Sequence, residues 1–133
     1  MPARDGDIYT LRLGRGPKLF VVETVVSPVA LAKGLSGRRR LAAGHGMLFV
    51  FPELRRQSMW MPLMNFPLDI VWLDENLTVV HVTQGAEPCP NTKDCPHYSS
   101  RFMAKYAIEM TAGEAGRYGF VGGVMLQVVP GAH

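Results

Sequence analysis

The sequence predicts a mainly β protein, folded as a β-sandwich or a partly open barrel with two short helices. Short runs rich in β-branched and aromatic residues recur along the 133-residue chain, separated by Gly, Pro, Asn and Asp. The chain shows no internal repeat and no low-complexity tract. Its length and its 47% hydrophobic content suffice for one core without metal or disulfide support. We therefore expect one domain over residues 1–133, with an ordered core at about 8–129.

The first third of the chain predicts a hairpin followed by a short helix. Ile8–Leu13 and Leu19–Val26 are β-rich, and the GRGP segment between them is a turn signal. Ser27 is a good helix N-cap, Pro28 suits the first helical position, and Gly34 can adopt the left-handed conformation that ends a helix. The expected helix is therefore bounded by signals at both ends.

Four further strands are expected in the middle of the chain, before a long loop. The strands are Met47–Phe51, Gln57–Met61, Leu68–Leu73 and Leu77–Gln84. The loop from Gly85 to about Arg101 contains both cysteines. A loop of this length is more often functional or covering than idle.

Ala104–Met110 then alternates as a half-buried strand should. Its apolar face carries Tyr106, Ile108 and Met110. Lys105 and Glu109 fall on the other face, which is the polar side expected of such a strand.

A second helix and a closing strand are expected near the end of the chain. Thr111 and Glu114 have the spacing of a capping box, which predicts a short helix through Tyr118 that Gly119 would end. Val124–Val129 is the last β-rich run. The count becomes eight short strands and two short helices, as in a sandwich or barrel.

Charge and hydropathy exclude several classes of protein. The net charge is +3, and the excess is concentrated in a local patch of arginines. The patch consists of Arg38, Arg39, Arg40, Arg55 and Arg56. No aromatic residue lies within it, so we expect no nucleic-acid partner, although it could gather an anion. No apolar run is long enough for a membrane span.

The start of the chain carries no secretory signal. Met1–Asp7 is charged and lacks an apolar core region, so the chain as written is expected in the cytoplasm. Removal of a signal peptide would leave the same sequence, and the protein would then be exported or periplasmic. The oligomeric state is not indicated by the sequence.

Short catalytic and cofactor motifs are absent from the sequence. It contains no GxSxG, no HExxH, no P-loop and no GxGxxG that opens a helix after a strand. We therefore assign no catalytic residue and no cofactor, and we lean towards a binding function.

Asp69 is the candidate site residue that stands out most. Alternation puts its carboxylate on an apolar face of a predicted strand, where an unpaired charge is costly. One interpretation is a structural aspartate held by backbone amides or by Arg40. The other is the floor of a ligand pocket beneath Trp60, completed by His45 or an arginine.

Trp60 lies among methionines, which also allows two interpretations. Met59, Met61 and Met64 are typical of core packing, or of a soft surface adapted to a ligand. The MxM step faintly resembles a thioether site for Cu(I), but no histidine spacing supports that ion. Trp60 and Met61 are therefore assigned to the candidate pocket, and no metal site is predicted.

Cys89 and Cys95 allow a disulfide, a metal pair or two free thiols. Zinc would use both cysteines with His97 and a fourth ligand such as His81, but the spacing is not that of a structural zinc site. A disulfide or free thiols are therefore favoured over a metal. A disulfide here would stabilise only modestly, because the loop it closes is short.

The order of several short segments resembles a known family. GLSGRRRL, GMLFVFPE, SMWM, PLDIVWLD, PCP and CPHY occur in the order found in the domain of unknown function 192 family. The resemblance covers nearly all the chain, from about Phe20 to the closing strand. It implies a jelly-roll-like sandwich and no known activity, and many members look like exported or lipid-anchored envelope proteins.

The chain departs from the family pattern in two places. Leu63 and Met64 replace the Asn-Thr pair usual after Trp-Met, with Asn65 as a shifted substitute. Gly123 and Val124 stand where the family has Gly-Asp. Both changes make the candidate pocket less polar and weaken the case for a shared hydrolytic or metal chemistry.

Together these residues predict a non-enzymatic ligand-binding or envelope accessory module. Its pocket would be formed by Trp60, Met61 and Asp69, bordered by Arg40 and His45, and its ligand would be a small molecule or an anion. The alternatives are a hydrolase that uses Asp69 with a nearby histidine, and a metal or redox module in the cysteine loop.

Overall fold

The computed structural model describes residues 2–60, 64–89 and 94–130. In that part of the chain it has seven strands and two helices. The strands are β1 (Ile8–Leu13), β2 (Leu19–Val25), β3 (His45–Trp60), β4 (Leu68–Leu73), β5 (Val79–Ala86), β6 (His97–Thr111) and β7 (Leu126–Val128). The helices are α1 (Pro28–Lys33) and α2 (Glu114–Tyr118). Neither of these helices is long and apolar enough to cross a bilayer.

The strands form one curled sheet in the order β5-β4-β6-β3-β2-β1-β7. The two longest strands, β3 and β6, pair antiparallel near its middle. The curl makes the sheet a half-barrel. The prediction of a mainly β fold with two short helices is confirmed, and the partly open barrel is the form it takes.

Apolar side chains cover both faces of the sheet. The face beneath α2 carries a core that we call the α2-side core, and the face beneath α1 carries the α1-side core. The α2-side core includes Leu11, Phe20, Leu48, Val71, Ile108 and Ala115. The α1-side core includes Leu35, Met47, Phe49, Ile70, Trp72 and Ala107. Successive residues of β3, β4 and β6 point alternately into the two cores. A polar side chain in the central part of these strands is therefore buried whichever face it lies on.

β3 is one continuous strand where the sequence predicts two. The predicted strands Met47–Phe51 and Gln57–Met61 fall at its two ends, and its register with β6 shifts between them. Two carbonyls in the intervening bulge accept hydrogen bonds from Lys105 Nζ, at 2.6 and 3.2 Å. Pro52 marks a break in the sequence pattern, but a bulge accommodates it without ending the strand. Met61 lies outside the described residues.

α1 connects the parallel strands β2 and β3 and has the predicted caps. Ser27 Oγ accepts a hydrogen bond from Ala30 N at 3.2 Å, Pro28 begins the helix, and Gly34 N donates to Ala30 O at 2.9 Å. No residue of α1 is itself buried, whereas Leu35 is only 1% exposed. We call α1 and the two residues after it the cover segment, which Leu35 anchors in the α1-side core.

α2 begins differently from the prediction. Thr111 still belongs to β6, and the N-cap position is Gly113, so the predicted capping box between Thr111 and Glu114 is wrong. Glu114 Oε1 instead accepts a hydrogen bond from Gly44 N at 2.8 Å. The helix is followed by Gly119 in the left-handed conformation, with φ of 85°, as expected.

Candidate functional site

Backbone amides surround the carboxylate of Asp69. The residue is 2% exposed. Its Oδ1 accepts a hydrogen bond from Gly85 N at 3.0 Å, while Oδ2 accepts from Gly113 N at 2.9 Å and Ala115 N at 3.0 Å. Gly113 and Ala115 stand at the start of α2, so Asp69 reaches across from β4 and caps that helix. The same carboxylate also holds the end of β5.

Asp69 and Trp60 are not brought together by the fold. Alternation along β4 turns Asp69 to the side of Val71, towards the α2-side core. Trp60 instead lines a cavity together with Phe49, which belongs to the α1-side core. The hydrogen bonds of Asp69 agree with its interpretation as a structural aspartate. Its partners are backbone amides, and Arg40 is not among them.

Arg40 and His45 lie in a third place. Both are exposed and line a hollow of about 260 Å³ beside β2. With Met61 outside the described residues, the other predicted pocket residues are distributed over three separate parts of the structure. The predicted pocket is therefore not formed as one site by the described residues.

A small cavity lies beneath the cover segment. Its volume is about 30 Å³. Its lining includes Phe49, Met59, Trp60 and Met64 from the sheet side, and Leu31, Gly34 and Leu35 from the cover segment. A neighbouring hollow of about 220 Å³ shares Phe49, Met59 and Trp60 with this lining. Trp60 is 46% exposed and stacks on His97, with 6.1 Å between the ring centroids, so it stands at the rim.

Glu109 supplies the carboxyl group that lines this cavity. It lies on β6, opposite Met47 of β3 on one side and Ile70 of β4 on the other. The residue is 3% exposed. The expectation that Glu109 lies on the polar side of a half-buried strand is therefore wrong, because the α1-side core and the cover segment bury that face as well.

The Glu109 side chain is buried, and its carboxyl has no hydrogen-bond or ion-pair partner in the described part of the chain. Among the described residues, none donates a hydrogen bond to it and no cation pairs with it. Burial raises the pKa of Glu109 from 4.5 to about 8, so the group is mostly protonated at pH 7. Buried polar groups are nearly always hydrogen-bonded, and a strongly shifted acid in a cavity is a candidate functional group.

Gly34 keeps the space above this carboxyl open. A Cβ at this position would lie 3.1 Å from Phe49 Cζ and 3.9 Å from Glu109 Oε1. The φ angle of Gly34 is +48°, in the region that favours glycine. Any side chain here would be strained and would press on the Phe49 ring beside the carboxyl.

The sequence carried only a weak signal for Glu109. Its face of β6 also holds Ala107, which is fully buried in the α1-side core. An apolar residue two positions before a carboxylate indicates that the face is not wholly polar. Lys105 lies on the same face of β6, and its charge makes that face look polar in the sequence.

A larger hollow of about 570 Å³ lies on the other side of the cover segment. Three of the four charged side chains in its described lining have partners. Arg38 Nη2 is 2.9 Å from Glu23 Oε2, and Asp5 Oδ1 accepts hydrogen bonds from two backbone amides. Thr24 Oγ1 also lines this hollow and is buried without a hydrogen-bond partner among the described residues, but a neutral hydroxyl costs less to bury than an ionisable carboxyl.

Cys89 and Cys95 are joined by a disulfide, with their Cα atoms 5.6 Å apart. In the described part of the chain, no group of three His, Cys, Asp or Glu side chains is arranged to hold a metal ion. His81 lies on β5, where burial, together with the charge of Arg101, lowers the pKa of the imidazole.

The curled sheet and its two short helices place the chain among small mainly β half-barrel proteins. A family model matches residues 10–128, which is most of the chain. It is domain of unknown function 192 (DUF192), described as Uncharacterized ACR, and the chain belongs to this family.

Two solved structures are similar over nearly their whole length. A protein from Sinorhizobium meliloti, provisionally named a transcription regulator, is 29% identical with a TM-score of 0.81, over 95% of this chain and 97% of that chain. A protein of unknown function from Novosphingobium aromaticivorans is 22% identical with a TM-score of 0.80, over 96% of this chain and 89% of that chain. The second likeness concerns the fold alone. None of the curated proteins matches the chain.

Proposed function

We propose that this protein is a non-enzymatic ligand-binding module whose ligand occupies the cavity beneath the cover segment. The observation that carries the proposal is Glu109, a buried carboxyl that lines the cavity and has no partner among the described residues. Leaving such a group unpaired is costly. A ligand that bonds to it would offset that cost and complete the site.

The lining suits a ligand with an apolar body. Phe49 and Trp60 offer aromatic surfaces, and Met59 offers a thioether that adapts to different shapes. The neighbouring hollow of about 220 Å³ is smaller than typical drug-sized sites of about 300–1,000 Å³. We therefore expect a small ligand, with its body at Trp60 and one polar group at Glu109.

This site keeps Trp60 from the sequence prediction and replaces Asp69 with Glu109. A hydrolase would need an available carboxylate with a histidine within reach. Both oxygens of Asp69 are occupied by amides, and the described residues that line the Glu109 cavity include no histidine. These features favour binding over hydrolysis.

The two tryptophans allow a direct test by NMR. In a screen of small neutral, cationic and anionic compounds, ligands of the site should shift the indole N–H signal of Trp60. The signal of Trp72 should stay in place, because that indole is buried and donates to Thr83 Oγ1 at 3.1 Å.

Trp60→Ala should weaken each such ligand at least about tenfold, as expected for the loss of an aromatic anchor. Val29→Ala is the matched control, since Val29 is on α1 but 82% exposed. The proposal is contradicted by a broad screen in which no compound moves the Trp60 signal, or by unchanged affinities in Trp60→Ala.

A further inference from the structure

We infer that the ligand carries a protonated amine on a small apolar body, and that its ammonium group binds the carboxylate of Glu109. This inference rests on the proposed function, because it names the chemical class of the ligand for the same cavity. Three features of the described residues support it: the size of the cavity, its aromatic lining, and the absence of a cation that pairs with Glu109 among these residues.

The cavity beside Glu109 has room for one small group. Its volume of about 30 Å³ exceeds the roughly 10–15 Å³ needed to hold one water molecule. An ammonium group is of similar size and donates up to three hydrogen bonds. Placed against a buried carboxylate, it forms the charge-assisted hydrogen bonds that are among the strongest in proteins.

The rim of the cavity favours a cation over an anion. Trp60 at the rim and the buried Phe49 both line the cavity, and a cation is attracted where it can sit over the face of such a ring. An anionic ligand would be repelled once Glu109 ionises, and it would gain nothing from these rings. The carboxyl and the rings therefore select for the same charge on the ligand.

Among the described residues, no charged group takes the place of such a ligand. Across the sheet, Glu109 faces Met47 on β3 and Ile70 on β4, which do not titrate. Apart from Glu109, Lys33 of α1 is the one titratable residue among the described residues that line the cavity, and its side chain is exposed to solvent. Lys33 does not form an ion pair with Glu109, and His97 at the rim stacks on Trp60, so no cation among the described residues pairs with the carboxyl.

Binding should release a proton. The free protein holds Glu109 as a neutral acid near pH 7, because burial raises its pKa to about 8. When the ammonium group binds, the carboxyl O–H bond breaks, its proton passes to the buffer, and the carboxylate pairs with the unchanged ammonium. Affinity for the amine should therefore rise up to about tenfold per pH unit below the pKa of Glu109.

Calorimetry with matched probes tests this inference on the intact chain. Benzylamine and hexylamine would be compared with benzyl alcohol and hexanol at pH 6.5 and 7.5, in phosphate and in MOPS, whose ionisation enthalpies differ. For the amines we expect tighter binding at the higher pH, by up to about tenfold, and release of nearly one proton. Glu109→Gln should weaken the amines at least tenfold and remove the pH dependence, while leaving the alcohols unchanged.

The outcomes separate this inference from the proposed function. If the alcohols shift the Trp60 signal and bind as tightly as the amines, with no proton released, the ammonium assignment is wrong and the binding module stands. If none of the four probes binds and no compound in the wider screen moves Trp60, both proposals fail. The proton count and the pH profile are measured on the unmodified protein, so these two readouts do not depend on the variant.

Discussion

Asp69→Asn is expected to lower the free energy of unfolding by about 3–5 kcal/mol at pH 7, the largest loss we predict for a single substitution. The native carboxylate accepts hydrogen bonds from three backbone amides at 2.9 to 3.0 Å. An Asn side chain has only one acceptor oxygen. Its N–H₂ group would face backbone amides that also donate, so no hydrogen bond could form there. At least one buried amide is then left unpaired, and α2 loses its cap.

Urea unfolding of both proteins measures this loss, and Asp74→Asn is its control. Asp74 also accepts from two amides, those of Asn76 and Thr78, but both bonds use the same Oδ1 and the residue is only partly buried. Asn supplies that oxygen equally well in such turns, so we expect a loss below about 1 kcal/mol. If Asp69→Asn costs no more than Asp74→Asn, Asp69 is not the anchor of α2.

Glu109→Gln is expected to act in the opposite direction and to raise the free energy of unfolding by about 3 kcal/mol at pH 7. In the unfolded chain Glu109 ionises near its ordinary pKa of 4.5, whereas burial holds its pKa at about 8 in the folded protein. Between these values the unfolded state has released a proton that the folded state retains. Ionisation then favours unfolding, and Gln removes that contribution while keeping the shape of the side chain.

The difference in the free energy of unfolding between the natural protein and Glu109→Gln should depend on pH. A raised acid pKa makes the stability of the natural protein fall, relative to Glu109→Gln, as pH rises from about 4.5 to about 8. At pH 4 the two proteins should therefore differ little. At pH 9 they should differ by about 5 kcal/mol, because each pH unit between the two pKa values contributes about 1.4 kcal/mol. Urea unfolding of both proteins at pH 4, 7 and 9 measures this difference in free energy. A difference that stays constant over this pH range would contradict the raised pKa of Glu109.

Local signals were enough to predict much of the fold. The bounds of β1 and β4 match the predicted Ile8–Leu13 and Leu68–Leu73, because each is a short β-rich run bounded by turn residues. α1 was predicted with both of its ends, since Ser27, Pro28 and Gly34 each act within one helical turn. Such interactions are encoded by neighbouring residues and can be inferred without the rest of the chain.

Features that depend on distant contacts were not predictable in the same way. Asp69 caps α2 from 44 and 46 residues away, so nothing near Gly113 indicates the source of the cap. Its apolar surroundings showed that it needed partners, but they did not show which ones. The two interpretations of Asp69 could be separated only by the tertiary structure.

The candidate site was missed for a related reason. A carboxylate in an alternating strand is usually exposed, and Glu109 is buried only because the cover segment closes the second face of the sheet. That segment is itself a local helix whose docking depends on Leu35 entering the α1-side core. Trp60 was found because its side chain is unusual in the sequence, whereas Glu109 is unusual only in its surroundings.

A carbon-13 NMR titration of the Glu109 side-chain carboxyl tests the central claim most directly, namely that a neutral, buried acid lines the cavity. The resonance is assigned by its absence from Glu109→Gln. We predict a midpoint near pH 8 in the free protein, and a lower midpoint when benzylamine is bound. A midpoint below about 5.5 in the free protein, within the ordinary range of glutamates, would contradict the claim.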